Sequence, residues 1–216
     1  LKSVTEKRLL RIYNRMYDAY GPQDWWPADS AFEVMLGAIL TQNTSWHNVE
    51  KAIKNIKDAG LLNVRKLACV PLNRLKKLIK PSGFYNIKAL RLKNFMGFLK
   101  KMYGYSLNKM RKVETDILRN ELLSISGIGK ETADSILLYA FERSVFVIDA
   151  YTKRILYRHG LVGKDAEYDR VQGIFTENLK RDTGLYNEFH ALIVRTAKEK
   201  CKSRAPDCKT CPLNGV

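Results

Sequence analysis

The stretch Ile125-Ser126-Gly127-Ile128-Gly129-Lys130-Glu131-Thr132 decides how this chain is read. An amphipathic pattern precedes it, with Val113, Ile117, Leu118 and Leu122 on one helical face, and a second follows it, with Ala133, Ile136, Leu137 and Ala140. Two helices joined through Gly-Ile-Gly predict a tight hairpin, because glycine reaches backbone torsions that other residues resist. Glycine also lets main-chain N–H groups close on an anion at the start of the second helix, where the helix dipole favours negative charge. Ile128 is expected to plug the space between the helices, and Lys130 to add positive charge. Such a turn suits phosphate binding without base reading. An ordinary glycine turn shows the same local pattern, so the hairpin alone does not settle the function.

Outward from the hairpin the pattern stays helical. Phe32, Met35, Leu36, Ile39 and Leu40 build one apolar face, and Ser30 with Glu33 has capping-box spacing at its start. Val49, Ala52, Ile53 and Ile56 repeat the period, and Gly60 is a natural terminator. Pro71, Pro81 with Gly83, and Gly104 punctuate further helices, one of them predicted from about Tyr85 through Phe98. The one β-like run, Val145 to Ile148, has nothing obvious to pair with. The fold class read from this pattern is all-α.

Composition narrows the partners. The chain has 216 residues, 45% of them hydrophobic and 28% charged, as in a globular domain with a real core. Its 38 Lys and Arg against 22 Asp and Glu leave a net charge of +16, which points to a polyanion, since each phosphate neutralised releases condensed counterions. No apolar run approaches the ~20 residues that cross a membrane. No signal peptide is recognisable, and a chain that begins without Met is expected to be trimmed at its N-terminus. Cys69 stands alone, whereas Cys201, Cys208 and Cys211 crowd the C-terminal end. That clustering favours metal ligation over a disulfide framework, and the spacing alone would permit zinc.

Twenty residues beyond Gly129, Val145-Phe146-Val147-Ile148 leads into Asp149 and then Ala150-Tyr151-Thr152-Lys153-Arg154-Ile155. A hairpin followed at this distance by an aspartate resembles the endonuclease III superfamily of helix-hairpin-helix (HhH-GPD) DNA glycosylases. Leu40-Thr41-Gln42-Asn43-Thr44 and Gly83-Phe84-Tyr85-Asn86-Ile87-Lys88-Ala89 strengthen the resemblance, which spans roughly residues 30 to 211. It implies a six-helix barrel over about 23–134, a second lobe of 1–22 with 135–216, and a cleft between them. Asp149 is implied as the catalytic carboxylate, stabilising positive charge on the sugar and accepting a proton from water. Aspartate is also a favoured helix N-cap, and the family combines both roles.

The resemblance further implies DNA contacts from Gly127, Gly129, Lys130, Thr132, Tyr85, Asn86 and Lys88, and a gap-filling role for Gln42 once the base is extruded. Strand-nicking members carry a lysine where this chain has Glu131, and Lys130, one step earlier, points about 100° away. The expectation is therefore a monofunctional glycosylase using water. Trp25-Trp26-Pro27, Trp46 beyond Gln42 and Pro81-Ser82-Gly83-Phe84 are similar to the 3-methyladenine branch, which places Trp25, Trp26, Trp46 and Gln42 at the base pocket and alkylated purines as substrate. Cys201-x6-Cys208-x2-Cys211 resembles the family's [4Fe–4S] loop, whose fourth ligand would come one position past Val216 or be replaced by a water or another group; zinc is the alternative. His47, His159 and His190 show no metal-like spacing and are expected to be packing or surface residues. The expected partner is damaged double-stranded DNA, met by a monomer in a prokaryotic cytoplasm. The competing readings are excision of uracil, mismatched thymine or oxidised bases, with or without lyase activity, and a non-catalytic DNA-binding module.

Overall fold

The computed structural model describes residues 3–216, with helices α1 (Val4–Tyr20), α2 (Ala31–Leu40), α3 (Trp46–Asp58), α4 (Val64–Cys69), α5 (Leu72–Leu78) and α6 (Tyr85–Tyr103) in the first half. There follow α7 (Leu107–Arg111), α8 (Thr115–Leu123), α9 (Lys130–Ser135) with a π-helical continuation Ile136–Ala140, α10 (Ala150–Arg158), α11 (Tyr168–Thr176) and α12 (Thr183–Glu199). No β-strand occurs among the described residues. The chain divides into two units, Ala28–Arg143 and Leu1–Pro27 with Ser144–Val216.

In the first of these units α2 is the central element, buried from Phe32 through Leu40 and packed against α3, α6, α9 and the π-helical turn. Its N-terminus is fixed as the sequence predicts: the Ser30 hydroxyl accepts from the Glu33 amide at 3.3 Å, although Glu33 reaches back to the Asp29 amide, at 3.0 Å, rather than to Ser30. The Glu33 carboxylate is nearly buried and is neutralised by Lys57 at 2.7 Å. At the far end of α2, the Lys88 ammonium donates to Leu40 O at 2.7 Å and to Ser82 O at 2.6 Å. A cation at a helix C-terminus satisfies carbonyls that lack an in-helix donor. α6 runs five residues past Phe98, because Lys100, Lys101, Met102 and Tyr103 carry no breaker before Gly104, which ends it with φ 56°.

In the other unit, α12 is the spine on which α1 and α10 pack. Phe146 stacks on Phe175 at 3.7 Å and meets Tyr186 and Phe189 edge-on, which makes an aromatic core behind the segment entering α10. Val145 to Ile148 stays extended without a strand partner. Side chains of α11 take the place of a ladder, with Gln172 donating to Phe146 O at 2.7 Å and the Ile148 amide donating to the Tyr168 hydroxyl at 3.3 Å.

Candidate active site

The hairpin is a local turn braced by side chains far away in sequence. Ile128 is buried, as a plug between α8 and α9 requires. Behind it, Arg119 holds the fully buried Asp134 through two bonds of 2.6 and 3.0 Å, which ties α8 to α9. Gly127 has φ 94°, and a methyl group there would land on the Cγ and Cδ of Arg91. Arg91 is itself held by the side-chain oxygen Oε1 of Gln42, while Nε2 of Gln42 donates to Gly127 O at 3.2 Å and to the Thr132 hydroxyl at 2.8 Å. Asn94 adds a bond to Ser126 O at 3.1 Å. Gly129 differs: its φ is −94° and nothing lies within 4 Å of an added methyl. No intramolecular contact requires glycine there.

Asp149 caps α10. One carboxylate oxygen, Oδ1, accepts from the Thr152 amide at 2.7 Å and from its hydroxyl at 2.8 Å. The other, Oδ2, lies 3.6 Å from Nε2 of His190 on α12. Burial by itself pushes the carboxyl up. His190 outweighs that together with the two Thr152 bonds, and Asp149 sits below its ordinary value, ionised at neutral pH. A fixed, mostly enclosed anion of this kind favours positive charge developing next to it.

The remaining expected residues fall into three groups. Lys130 and Asn86 are exposed and Tyr85 half-buried, open to a large ligand. Trp25 and Trp26 are half-buried with ring centroids 5.3 Å apart, and Trp46, half-buried, opens α3. Lys88 departs from the expectation: only 1% of it is exposed and its ammonium is engaged by the Leu40 and Ser82 carbonyls, so it is a helix-capping group rather than a phosphate contact. Gln42 and Thr132 are likewise engaged with the hairpin. Sequence reasoning missed Arg91 and His190, which announce themselves only through distant partners. It also passed over Phe84, a large aromatic 66% exposed at φ 45°; the glycine before it was the available signal.

Cys201, Cys208 and Cys211 line one cavity of about 190 Å³ together with Arg158, His159, Lys200 and Asp207. All three are free thiols, and the Arg158 guanidinium lies 3.1 Å from the Cys201 sulfur. Burial pushes the Cys211 thiol up, and the neighbouring Cys201 and Cys208 push it further. Among the described residues no three His, Cys, Asp or Glu side chains converge as ligands of a metal ion. A four-iron cluster would take each thiolate on a separate iron, whereas a lone zinc ion would need all of them on one.

The structure thus holds a helix-hairpin-helix turn at Gly127–Gly129 and, twenty residues beyond Gly129, an aspartate at the cap of a helix. The chain belongs to the HhH-GPD superfamily of base excision DNA repair proteins, whose family model matches residues 36–181. A candidate DNA repair glycosylase of Methanocaldococcus jannaschii is 52% identical over 215 residues, 99% of this chain and 97% of that protein. Endonuclease III of Sulfolobus acidocaldarius is 27% identical over 85% of this chain and 80% of its own length. Among solved structures, the 3-methyladenine DNA glycosylase MagIII of H. pylori, bound to 1,N6-ethenoadenine, is 31% identical with a TM-score of 0.76, covering 92% of this chain and 98% of that one. An endonuclease III–DNA complex shares the fold, with a TM-score of 0.83 at 21% identity, over 98% of this chain and 94% of that one. No described helix is long and apolar enough to cross a membrane.

Proposed function

We propose that this glycosylase is monofunctional and removes alkylated purines such as 3-methyladenine from duplex DNA. The observation that carries the reading is Asp149, an ionised carboxylate fixed at the start of α10 with one oxygen committed to the cap. In the reaction the bond between sugar and base breaks and its electron pair leaves with the base. Water adds to the sugar carbon, and its proton passes to Asp149. An alkylated purine already carries positive charge and departs without an acid, which suits a site built around a carboxylate. Trp25, Trp26 and Trp46 supply electron-rich rings, which prefer such a cation by roughly 0.5–2 kcal/mol. The likeness to a 3-methyladenine glycosylase at 31% identity supports the same substrate class.

Glu131, exposed in the first turn of α9, stands where a Schiff-base lysine would act, which supports hydrolysis by water. The DNA backbone is received at the hairpin, where Gly129 lets a phosphate come close to the main chain and Lys130 adds charge, with Tyr85 and Asn86 beside Phe84 on α6. Phe84 is the side chain best suited to enter an opened base stack, since an exposed apolar wedge supports unstacked bases; the amide of Gln42 is already engaged. The cavity lined by Cys201, Cys208 and Cys211 fits three thiolate ligands of a [4Fe–4S] cluster whose role would be structural. Anaerobically purified protein should contain iron; stoichiometric zinc would favour the alternative.

A release screen over duplexes that each carry one lesion tests the substrate. Fast release from methylated DNA supports the proposal, and efficient release of uracil or an oxidised base with methylated DNA untouched overturns it. Borohydride should trap no covalent protein–DNA adduct during turnover; a trapped species lost on mutating a lysine would reverse the monofunctional reading.

A further inference from the structure

The two oxygens of Asp149 have different surroundings. Oδ1 is spent on the cap, receiving both donors of Thr152. Oδ2, the oxygen left for chemistry, faces the imidazole of His190 at 3.6 Å, too long for a hydrogen bond but within ion-pair reach. His190 is 7% exposed at its side chain and Asp149 12%, so water screens the pair weakly. The imidazole is fixed by packing, with the Phe146 ring edge-on at 6.4 Å. Several charged and titratable groups on the surrounding elements are engaged elsewhere. On α10, Lys153 bonds to Ala166 O and Arg154 to Cys201 O. On α11 the Tyr168 hydroxyl receives the Ile148 amide, and on α12 Glu188 accepts from the Gln23 amide.

We propose that His190 is a positioning residue for base excision: its Nε2 edge, facing Oδ2 of Asp149, holds that oxygen in place and favours the carboxylate over the carboxylic acid inside an enclosed site. This rests on Asp149 as the catalytic carboxylate. His190 touches neither base nor sugar; it sets the pH down to which Asp149 remains an anion. The net lowering of the Asp149 carboxyl, with His190 the largest of the opposing causes after burial, agrees with that role. Removing the imidazole leaves burial less opposed, so the carboxyl takes up a proton at higher pH and the acidic limb of the rate profile moves upward.

The test is single-turnover base release from methylated duplex DNA, or from the lesion duplex released fastest in the screen, as a function of pH. His190→Gln should move the acidic limb up by roughly 1–3 pH units, with affinity for an abasic-site duplex unchanged. His190→Lys, which places a cation opposite Oδ2, should bring the limb back toward the parent. An acidic limb that stays in place in His190→Gln overturns the proposal. If Asp149→Asn abolishes release while His190→Gln leaves the profile unmoved, the His190 inference fails and the catalytic reading of Asp149 stands. If Asp149→Asn retains full release, both fail. Should the His190 variants not fold, NMR on the parent and Asp149→Asn decides: the ring chemical shifts of His190 at one pH should differ between the two, and identical shifts would refute the pairing.

Discussion

The hairpin and the Asp149 site differ in where their information lies. The hairpin is formed by eight consecutive residues, Ile125 to Thr132, and in the proposed function its main chain is the donor. The Asp149 site is assembled from α10 and from His190 on α12, forty-one residues apart in sequence. A main-chain site needs only the torsions and small side chains of one segment, so it is written locally. A charged side-chain site must also overcome the cost of burial, and the groups that do so come from wherever the fold brings them. The first kind of site is tuned by glycine, the second by its neighbours.

The largest effect expected falls on the second kind. Asp149→Asn should lower base release at least about a hundredfold, the scale set by losing a preorganised charge at the developing transition state, while duplex affinity stays near that of the parent. Oδ1 of asparagine can still accept from Thr152, so the cap survives. Release from the variant at the parent rate would remove the contrast between the two regions, since neither would then carry the chemistry.

At the hairpin, the two glycines are expected to fail in different ways. Gly127→Ala forces a side chain into φ 94° and against Arg91, and should cost roughly 1–3 kcal/mol of stability. Because Arg91 is bound to Gln42, the double variant with Arg91→Ala should recover part of that loss, read from melting curves. Gly129→Ala meets neither obstacle. It should melt like the parent yet bind duplex DNA roughly tenfold more weakly, the worth of a charge-assisted main-chain bond to phosphate. Equal loss of stability in both would show that both glycines serve the turn alone.

How much of this was legible follows the same division. The helical pattern, the Ser30 cap, the buried Ile128 plug and Asp149 as an N-cap were all readable from spacing, because each depends on residues within a turn or two. The Val145–Ile148 run read as a strand in search of a partner, and in the structure Gln172 and Tyr168 supply its hydrogen bonds. His190 carried no signal: on α12 it lies among apolar neighbours, and nothing in its spacing marks the carboxylate it faces. Arg91 was silent for the same reason. Lys88 was misread because a lysine in a DNA-binding motif suggests phosphate, whereas the motif's turn packs it under the end of α2.

That lysine gives the smallest expected effect at neutral pH and a measurement free of DNA. Burial, with some repulsion from Arg91, pushes the Lys88 ammonium down to about 8 from its ordinary 10.5. Between those values the unfolded chain holds a proton that the folded chain has released. Unfolding therefore takes up a proton in this window, and stability attributable to Lys88 rises with pH, by at most about 1.4 kcal/mol per pH unit. Below about pH 8 both states carry the charge and the contribution is flat. Lys88→Met should remove that rise, seen as the difference between the two proteins' stability curves from pH 8 to 10.5 by chemical denaturation. At neutral pH the same change trades a buried charge for two carbonyls, Leu40 O and Ser82 O, that lose their donor. These terms oppose each other, so the neutral-pH difference should be small beside that of Gly127→Ala. Parallel stability curves would mean that Lys88 is more open to solvent than its 1% exposure indicates, and would return it to the residues available for phosphate.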